Sequence, residues 1–345
     1  MKDVFLWPPR SPMSRFFDEY YSELIANEVI PVHELEQLIK IPKFARIRVM
    51  ARPKLATEYI NWMLRGKESL VHFTSQLSVL PDISSRFVFT FHDVIHLNPG
   101  LSGTKFPVSK NEQIRKAVDR ARFIITDSEV SRRKILSYYQ CSEDKISVVY
   151  PVVPSANRVI HPRNRRKSVL FIGTNAPRKN IIGFLEAMRE YQDRYGDVAE
   201  INIVSDLDAF GAGDNYREVI RSLRICNLRL HSRLPIQELN GLYEESGVLV
   251  FPTLQEGFGL PPLEAQSVGL PVVASDIPIM HEVLGESCVF CNPLSSTDIM
   301  KAVRQVLSDQ QLAGEMHERG LSNVLRFGKA SSVQKTLDAY RAAAR

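Results

Sequence analysis

The stretch FPTLQEGFGLPPLE, residues 251–264, constrains the fold of this 345-residue chain more than any other. It continues a short apolar run, Val248 to Phe251, that is rich in β-branched residues and ends at a proline, as a buried parallel strand does. Two glycines follow, and Leu260 and two prolines then begin a helix, where the missing proline N–H would have no partner anyway. The stretch therefore predicts a strand, a glycine loop and a helix, the βα unit of a parallel sheet. The helix N-terminus presents unpaired N–H groups and a positive dipole, so an anion can bind there.

Two carboxylates, Glu256 and Glu264, flank this glycine loop with seven residues between them. Glu264 lies about one turn inside the predicted helix and can face the same cavity as the loop. The arrangement suits a ligand with a phosphate and several hydroxyl groups, because amides bind the anion and carboxylates accept from hydroxyls. An ordinary βα turn with two solvated glutamates is the alternative that the glutamate pair alone leaves open.

The glutamate pair resembles the E-x7-E signature of the family 4 retaining glycosyltransferases, and the string GLPVVASDIPIMHEVLGESCVFCNPLSSTDI after it is similar to the same family. The resemblance covers about residues 86–344 well and residues 1–85 poorly. It implies the GT-B fold, an α/β architecture of two Rossmann-like, doubly wound domains that face each other across a cleft. It also implies that Glu264 binds the ribose hydroxyls of a sugar donor and Glu256 the hydroxyls of the transferred sugar. The donor-binding loop between them comprises Gly257, Phe258, Gly259 and Leu260.

A second glycine turn, Gly173 and Thr174, follows the apolar run 168–172. Arg178 and Lys179 come next, at a predicted helix start where cations oppose the helix dipole and so need a specific reason. Arginine can donate to two oxygens at once and lysine supplies a point charge, which suits a pyrophosphate. The string resembles the family's G-x4-RKN element, which implies that Arg178 and Lys179 bind the donor's phosphates and neutralise the departing diphosphate.

His92 and Asp93 follow the apolar run 87–91. A His-Asp pair just past the end of a strand lies where open α/β sheets bind ligands. The pair resembles the HD motif of the same family, which implies that His92 faces the donor sugar and phosphate, while His96 is predicted to be structural. The turn at Arg233 and Leu234 is, by the same resemblance, the turn that faces the nucleobase. The candidate catalytic residues are Glu256, His92, Lys179 and Arg178.

The length of the chain favours two domains over one core. We predict an N-terminal acceptor-side domain, a polar and basic linker, a nucleotide-sugar-binding domain and a terminal helix that, by resemblance, crosses back to the first domain. These four segments are residues 1–151, 152–167, 168–325 and 326–345. The first predicted βα loop, residues 8–14, contains no glycine. That disfavours a dinucleotide fold of the dehydrogenase type and departs from the pattern of many family 4 enzymes.

The positive charge is concentrated in the first half of the chain. Residues 1–150 hold 22 Lys and Arg against 17 Asp and Glu, whereas the remaining residues hold 22 of each. Residues 40–54 carry basic side chains and no acidic one, and form either a solvated face or a patch for anionic lipid headgroups or an acceptor phosphate. Nucleic acid is not expected as a partner, because no recognition module accompanies the patch. Without a long apolar run or a signal-peptide pattern, we expect a cytoplasmic location, with peripheral binding at the inner face of the membrane if the patch binds lipid.

Neither a metal nor a cofactor is expected. Cys288 and Cys291 form a CxxC that no second pair completes, and the segment is typical of a buried strand. Asp206 and Asp208 form a D-x-D, which holds a divalent metal in the other major glycosyltransferase fold, but the βα order of the chain favours the doubly wound design.

The resemblance implies transfer of a hexose from a nucleotide-diphosphate sugar to a hydroxyl of a glycan or lipid-linked acceptor, with retention of the anomeric configuration. The strings HDVIHL and EGFGLPPLEA most resemble mannosyl- and rhamnosyltransferase versions, so GDP-mannose is the preferred donor. Alternatives are a UDP-hexose or dTDP-deoxysugar transferase, a GT-B epimerase or phosphorylase-like enzyme, and a catalytically silent GT-B binding module.

Overall fold

Short apolar runs of three to five residues form the strands of two six-stranded sheets. The structure is a computed structural model that describes residues 3–7, 32–34, 53–103, 107–153, 158–196, 199–207 and 213–345. Within these residues, each strand pairs with its neighbours in parallel. The chain divides into two compact units. The first unit contains Met1–Val94, Phe106–Val152 and Phe327–Arg345, and the second contains Ile95–Lys105 and Val153–Arg326.

The first unit is built on a sheet with the strand order β2-β1-β3-β4-β5-β6. Its strands are β1 (Asp3–Trp7), β2 (Val32–Glu34), β3 (Ser69–Phe73), β4 (Arg86–Thr90), β5 (Phe123–Thr126) and β6 (Ile146–Val148). The chain goes from β1 to β2 on one side and then to β3 on the other, so the strand order reverses between β1 and β3. The carboxyl ends of parallel strands next to such a reversal are where doubly wound sheets bind ligands.

The second unit repeats this design with the strand order β12-β11-β10-β7-β8-β9. Its strands are β7 (Ser168–Ile172), β8 (Glu200–Val204), β9 (Leu228–His231), β10 (Val248–Phe251), β11 (Val272–Ser275) and β12 (Val289–Cys291). Here the order reverses between β7 and β10. All four residues of β10 are buried, as expected of a strand that helices cover on both faces. The loops after β7 and β10 therefore lie side by side at the reversal point.

Helices connect the strands in both units. In chain order they are α1 (Pro53–Met63), α2 (Pro99–Ser102), α3 (Val108–Arg120), α4 (Glu129–Tyr139), α5 (Ile181–Tyr195), α6 (Gly213–Leu223), α7 (Ile236–Glu245), α8 (Leu260–Ser267), α9 (Pro278–Leu284), α10 (Ser296–Ser308), α11 (Gln310–Val324) and α12 (Lys329–Ala344). The last helix, α12, packs on the sheet of the first unit, where Leu337 and Tyr340 are buried among Val4, Leu70 and Val88. The Tyr340 hydroxyl lies 2.7 Å from Nδ1 of His72 in β3, so a hydrogen bond as well as apolar packing attaches α12 to its unit.

Several segments were assigned to domains from the sequence. Within the expected linker, residues 158–167 are described and belong to the second unit. Arg165 donates to the carbonyls of Tyr243 and Glu244, both at 2.8 Å. Residues 95–105, which we expected in the N-terminal domain, also fall in the second unit. The glycine-free loop 8–14 and the basic segment 40–52 lie outside the described residues, so the predictions made for them stay predictions. In the part of the chain that the structure describes, no helix is long and apolar enough to cross a membrane.

Candidate functional site

Hydrogen bonds join the two loops at the reversal point of the second sheet. The Leu254 N–H, after β10, donates to the carbonyl of Arg178, after β7, at 2.6 Å. The Asn180 side-chain amide donates to the carbonyls of Pro252 and Pro293 at 3.0 and 2.6 Å. Asn180 has a left-handed backbone (φ 56°), a conformation that asparagine adopts more easily than most residues. The loops thus hold one another in a fixed arrangement.

Three charged side chains from these loops meet. Arg178 Nη1 and Lys179 Nζ donate to Oε1 of Glu256 at 2.6 and 2.5 Å. The Thr253 hydroxyl lies 3.1 Å from the same oxygen and 2.8 Å from the Arg178 carbonyl, and can donate to one of them at a time. The Glu256 side chain is only 8% exposed, against 20% for Arg178 and 11% for Lys179. We call Arg178, Lys179 and Glu256 the Glu256 cluster.

The Glu256 cluster carries two positive charges and one negative charge. Burial alone would raise the pKa of Glu256, but the charges of Lys179 and Arg178 outweigh it and hold that pKa below its usual range. Lys179 Nζ also lies 4.9 Å from the centre of the Phe251 ring, where a cation is attracted. Glu256 is therefore an anion and not a proton donor. The excess of one positive charge in a half-buried position suits an anionic ligand.

Two glycines belong to the loops of this cluster. A Cβ on Gly173 would lie 3.3 Å from the Lys179 side chain, which passes over it and would have to shift slightly. Gly259 has φ +99°, a backbone conformation that strains any residue with a side chain, and its Cβ would also displace the flexible end of Met280. Phe258 is buried, and Leu260 begins α8 directly after Gly259.

Glu264 is half-buried on α8 and accepts a hydrogen bond at Oε2 from the Tyr243 hydroxyl. Tyr243 comes from α7 and is itself fully buried, so it fixes the direction of the carboxylate. Of the two glutamates predicted as a pair, Glu256 is therefore held by cations and Glu264 by a phenol.

Among the described residues, seven buried side-chain polar atoms have no hydrogen-bond partner, and four of them lie at this edge of the second sheet. They are Thr174 Oγ1, Asn175 Oδ1, Ser205 Oγ and Gln255 Oε1. All four follow the carboxyl ends of β7, β8 and β10, which are neighbours in the sheet. Buried polar groups in folded proteins nearly always have a partner, and leaving one without costs about 1–3 kcal/mol. Their clustering at one edge indicates a place where a polar ligand or water supplies the missing bonds.

The turn after β9 contains the remaining predicted site residues, Arg233 and Leu234. Arg233 Nε donates to Oδ2 of Asp206 at 3.0 Å, and its side chain is 81% exposed. The first carboxylate of the D-x-D is thus paired with an arginine, while Asp208 lies outside the described residues. Within the described ranges, no group of three or more His, Cys, Asp or Glu side chains could hold a metal ion.

His92 belongs to the first unit and lies two residues past the end of β4. Its Nδ1 is 2.8 Å from Oδ2 of Asp127, and its Nε2 is 3.1 Å from the Thr74 carbonyl oxygen. Burial lowers the pKa of His92, but the charge of Asp127 and the hydrogen bond to it prevail, so the pKa lies above its ordinary value. His96 is buried too, which lowers its pKa to about 4 and keeps the ring neutral.

The structure also brings in residues that we did not assign to a site from the sequence. In the second unit Thr253 and Tyr243 contact the predicted residues Glu256 and Glu264, and Asn180 bonds to the Pro252 carbonyl between the two loops. In the first unit Asp127 contacts His92. Asn180 was visible as the last letter of the RKN string, and Asp127 stands directly after the apolar run of β5. Nothing in the local sequence marks Thr253 or Tyr243, because their roles depend on which strands and helices are neighbours.

Known proteins support this description. Residues 166–309 match the model of the family Glycosyl transferases group 1. O-antigen chain mannosyltransferase B of Escherichia coli is 28% identical over 81% of this chain and 76% of its own length. O-antigen chain mannosyltransferase RfbU of Salmonella typhimurium is 29% identical over 56% of this chain, and the match spans about half, 53%, of its length. The solved sucrose-phosphate synthase of Thermosynechococcus elongatus superposes with a TM-score of 0.74 at 13% identity, over 99% of this chain and 98% of that one.

Two parallel-sheet α/β units and these likenesses define the class: the fold is GT-B. The chain is an enzyme of the glycosyltransferase class, and its residues 166–309 match the group 1 family model. The predictions of family, fold and enzyme class are confirmed. The roles of individual site residues stay predictions.

Proposed function

We propose that the enzyme transfers a mannosyl group, with retention of the anomeric configuration, from GDP-mannose to a hydroxyl of a glycan or lipid-linked acceptor. The observation that carries this proposal is the Glu256 cluster at the reversal point of the second sheet. Its two cations and its buried carboxylate offer one group for a diphosphate and another for sugar hydroxyls at the same place. The unpartnered polar atoms of Thr174, Asn175, Ser205 and Gln255 around the same edge support a polar ligand there.

The proposed division of labour follows from charge. Arg178 and Lys179 contact the diphosphate, and Oε2 of Glu256 accepts from hydroxyls of the transferred sugar, since its three hydrogen-bonding neighbours all reach Oε1. Glu264, directed by Tyr243, accepts from the ribose hydroxyls. The backbone of the loop Gly257 to Leu260 lies at the N-terminus of α8, where N–H groups are available to an anion.

The proposed reaction breaks the bond between the anomeric carbon and the diphosphate oxygen, and the nucleoside diphosphate leaves with the electron pair. The acceptor oxygen forms its bond to the anomeric carbon on the same face, and its proton passes to the leaving phosphate. We assign no nucleophilic role to Glu256, whose Oε1 is held in hydrogen bonds by Arg178 and Lys179. Arg178 and Lys179 stabilise the charge that develops on the leaving group.

Mannose is proposed as the sugar because two relatives over substantial parts of the chain are named O-antigen chain mannosyltransferases. That naming also supports a glycan acceptor. A lipid-linked acceptor at the inner face of the membrane, met by the basic segment 40–54 of a cytoplasmic enzyme, is the further proposal that the charge distribution supports.

The decisive experiment is calorimetric titration of the protein with GDP, UDP and dTDP, repeated on Glu264→Ala and on Glu286→Gln as a control. Glu286 is an exposed carboxylate of the same unit, and its replacement should change nothing. We expect GDP to bind most tightly of the three diphosphates. Glu264→Ala should weaken the affinity for GDP about tenfold or more, since a charged hydrogen bond contributes on the order of 1.5–3 kcal/mol.

Transfer from radiolabelled GDP-mannose to an acceptor glycan, followed by determination of the anomeric configuration of the product, tests the reaction itself. A β-linked product from the α-linked donor would contradict retention. Preferential binding of UDP or dTDP would contradict the donor proposal and favour the alternative sugar classes. If none of the three diphosphates binds, the proposed donor site is wrong.

A further inference from the structure

His92 has both ring nitrogens against oxygen atoms that accept hydrogen bonds. The Thr74 backbone carbonyl, 3.1 Å from Nε2, can only accept, so Nε2 carries a hydrogen. The Asp127 carboxylate, 2.8 Å from Nδ1, accepts as well, so Nδ1 also carries one. An imidazole with hydrogens on both nitrogens is a cation. The contacts alone thus describe His92 as an imidazolium in the free protein.

The neighbouring ionisable groups agree with this protonation state. Besides Asp127, which follows β5, the Asp93 carboxylate next in the chain favours the charged ring. His72, on β3, is buried, and burial together with the charge of His92 lowers its pKa to about 3, so that ring is neutral. One of the two buried histidines therefore keeps its proton while the other gives its proton up.

Gln76 fixes the backbone of the same loop. Its Oε1 accepts from the His92 N–H at 3.2 Å, and its Nε2 donates to the Asp93 carbonyl at 3.3 Å. Only this orientation of the amide satisfies both contacts. Gln76 is 6% exposed, so water does not readily replace it. Gln76, which follows β3, and Asp127, which follows β5, therefore hold the loop that carries His92.

We propose that Asp127 and Gln76 are positioning residues for the transfer reaction, which keep His92 doubly protonated and aim its Nε2–H. The Thr74 carbonyl is the resting acceptor of that N–H, and an oxygen of the substrate replaces it. His92 is then a hydrogen-bond donor and not a general base. This inference rests on the proposed function for its catalytic part, but the protonation state of His92 can be measured without any substrate.

The first measurement is long-range ¹H–¹⁵N NMR of histidine-labelled protein, with His92 assigned by His92→Gln. We expect both ring nitrogens of His92 to carry hydrogens near pH 7, where an ordinary histidine with a pKa near 6.5 is already mostly neutral. In Asp127→Asn the charge is gone, so we expect a neutral ring at that pH, with the hydrogen kept on Nε2 against the Thr74 carbonyl and a bare Nδ1 that accepts from the asparagine amide. Asp82→Asn, an exposed carboxylate of the same unit, is the matched control and should leave the His92 signals unchanged.

The second measurement is kcat against pH with saturating donor. In Asp127→Asn the fall of kcat with rising pH should shift to lower pH, because burial then lowers the pKa of His92 without the opposing charge of Asp127, and the charge that strengthens the Nε2–H donor is lost sooner. Gln76→Met should lower kcat about equally at every pH, since it loosens the loop without changing a charge. A merely structural role for Asp127 would lower activity without moving the pH profile.

Three outcomes would overturn the proposal. They are a neutral His92 in wild-type protein near pH 7, an Asp127→Asn profile parallel to that of the wild type, and a Gln76→Met enzyme with unchanged kcat. If Asp127→Asn does not fold, the wild-type spectrum and Gln76→Met still decide. If the wild-type protein transfers no sugar from any nucleotide donor, the proposed function fails, and the NMR spectrum separately decides the protonation of His92.

Discussion

Each unit of this enzyme holds a buried ionic cluster at the carboxyl edge of its parallel sheet, and the two clusters are balanced differently. In the Glu256 cluster one carboxylate meets two cations, and unpartnered polar atoms follow the same and neighbouring strand ends. In the first unit the imidazolium of His92 meets the Asp127 carboxylate, and both ring nitrogens have protein acceptors. An unbalanced cluster with unsatisfied neighbours is suited to bind a charged ligand. A balanced and fully bonded cluster is suited to fix the direction of one group.

Of the changes considered, Glu256→Gln should have the largest effect on the difference between the two clusters. The amide has the shape of the carboxylate but no charge, so we expect kcat to fall on the order of 100-fold, as for other groups that stabilise a transition state electrostatically. The two cations would no longer face an internal anion, so GDP should bind as tightly as before or more tightly. Transfer kinetics and calorimetry measure the two effects, with Glu286→Gln as the control. A parallel loss of GDP affinity would contradict the assignment of Glu256 to the sugar.

Lys179→Met tests the excess positive charge. Methionine keeps the apolar length of the side chain over the Phe251 ring but leaves Arg178 as the one remaining cation of the Glu256 cluster. We expect the Kd for GDP to rise about tenfold, because a charge-assisted hydrogen bond to phosphate is lost. The control is Lys301→Met on the exposed face of α10, which should leave the Kd unchanged. An unaltered Kd for Lys179→Met would remove the diphosphate from this position.

The fold was largely predictable because it depends on local patterns. The predicted strands 168–172 and 248–251 match β7 and β10, and the run 87–91 is shifted by one residue from β4. The helix predicted to begin at Leu260 does so as α8. The one-residue shift of β4 concerns the ends of an element, where one hydrogen bond decides and hydrophobic periodicity gives no signal.

The contacts within the candidate site were less predictable, because they join residues that are distant in the chain. Lys179 and Glu256 are 77 positions apart and meet because β7 and β10 are neighbours in the sheet. That strand order could not be predicted from the sequence. His92 and Asp127 are 35 positions apart and meet because β4 pairs with β5. The resemblance to the family indicated the individual candidate site residues. Only the strand order in the structure showed which residue each of them contacts.

His72 and His92, both buried in the described part of the first unit, should change stability with pH in opposite directions. His72 has its folded pKa lowered to about 3 by burial, so the unfolded chain binds a proton below about pH 6.5 and the folded chain does not. Stability should therefore fall as the pH drops below about 6.5, by up to about 1.4 kcal/mol per pH unit from this group. His92 has a raised pKa, so its contribution is fully present below about pH 6.5 and is lost as the pH rises through the folded pKa.

Urea unfolding followed by tryptophan fluorescence measures the pH dependence of stability in the unit that contains His72. The two tryptophans, Trp7 and Trp62, both lie in that first unit. His72→Gln should flatten the dependence between about pH 6.5 and pH 5, above the range where most carboxylates titrate. An equally steep dependence in His72→Gln would show that the buried ring is not the cause.

Two threonines in the loops of the Glu256 cluster allow the smallest and most discriminating test. Thr174 Oγ1 is buried without a partner among the described residues, whereas the Thr253 hydroxyl lies within hydrogen-bonding distance of the Arg178 carbonyl and Glu256. Valine has nearly the shape of threonine, so each change removes only a hydroxyl. We expect Thr174→Val to stabilise the free protein by about 1 kcal/mol, because it removes a buried hydroxyl that has no partner among the described residues. Thr253→Val should destabilise the protein by about as much, because it removes a hydrogen bond that is made.

Both variants should weaken the affinity for GDP. Thr174→Val would lose a direct contact, and Thr253→Val would leave Arg178 misplaced. If Thr174→Val left GDP affinity unchanged, the unpartnered hydroxyl would belong to a water site and not to the donor.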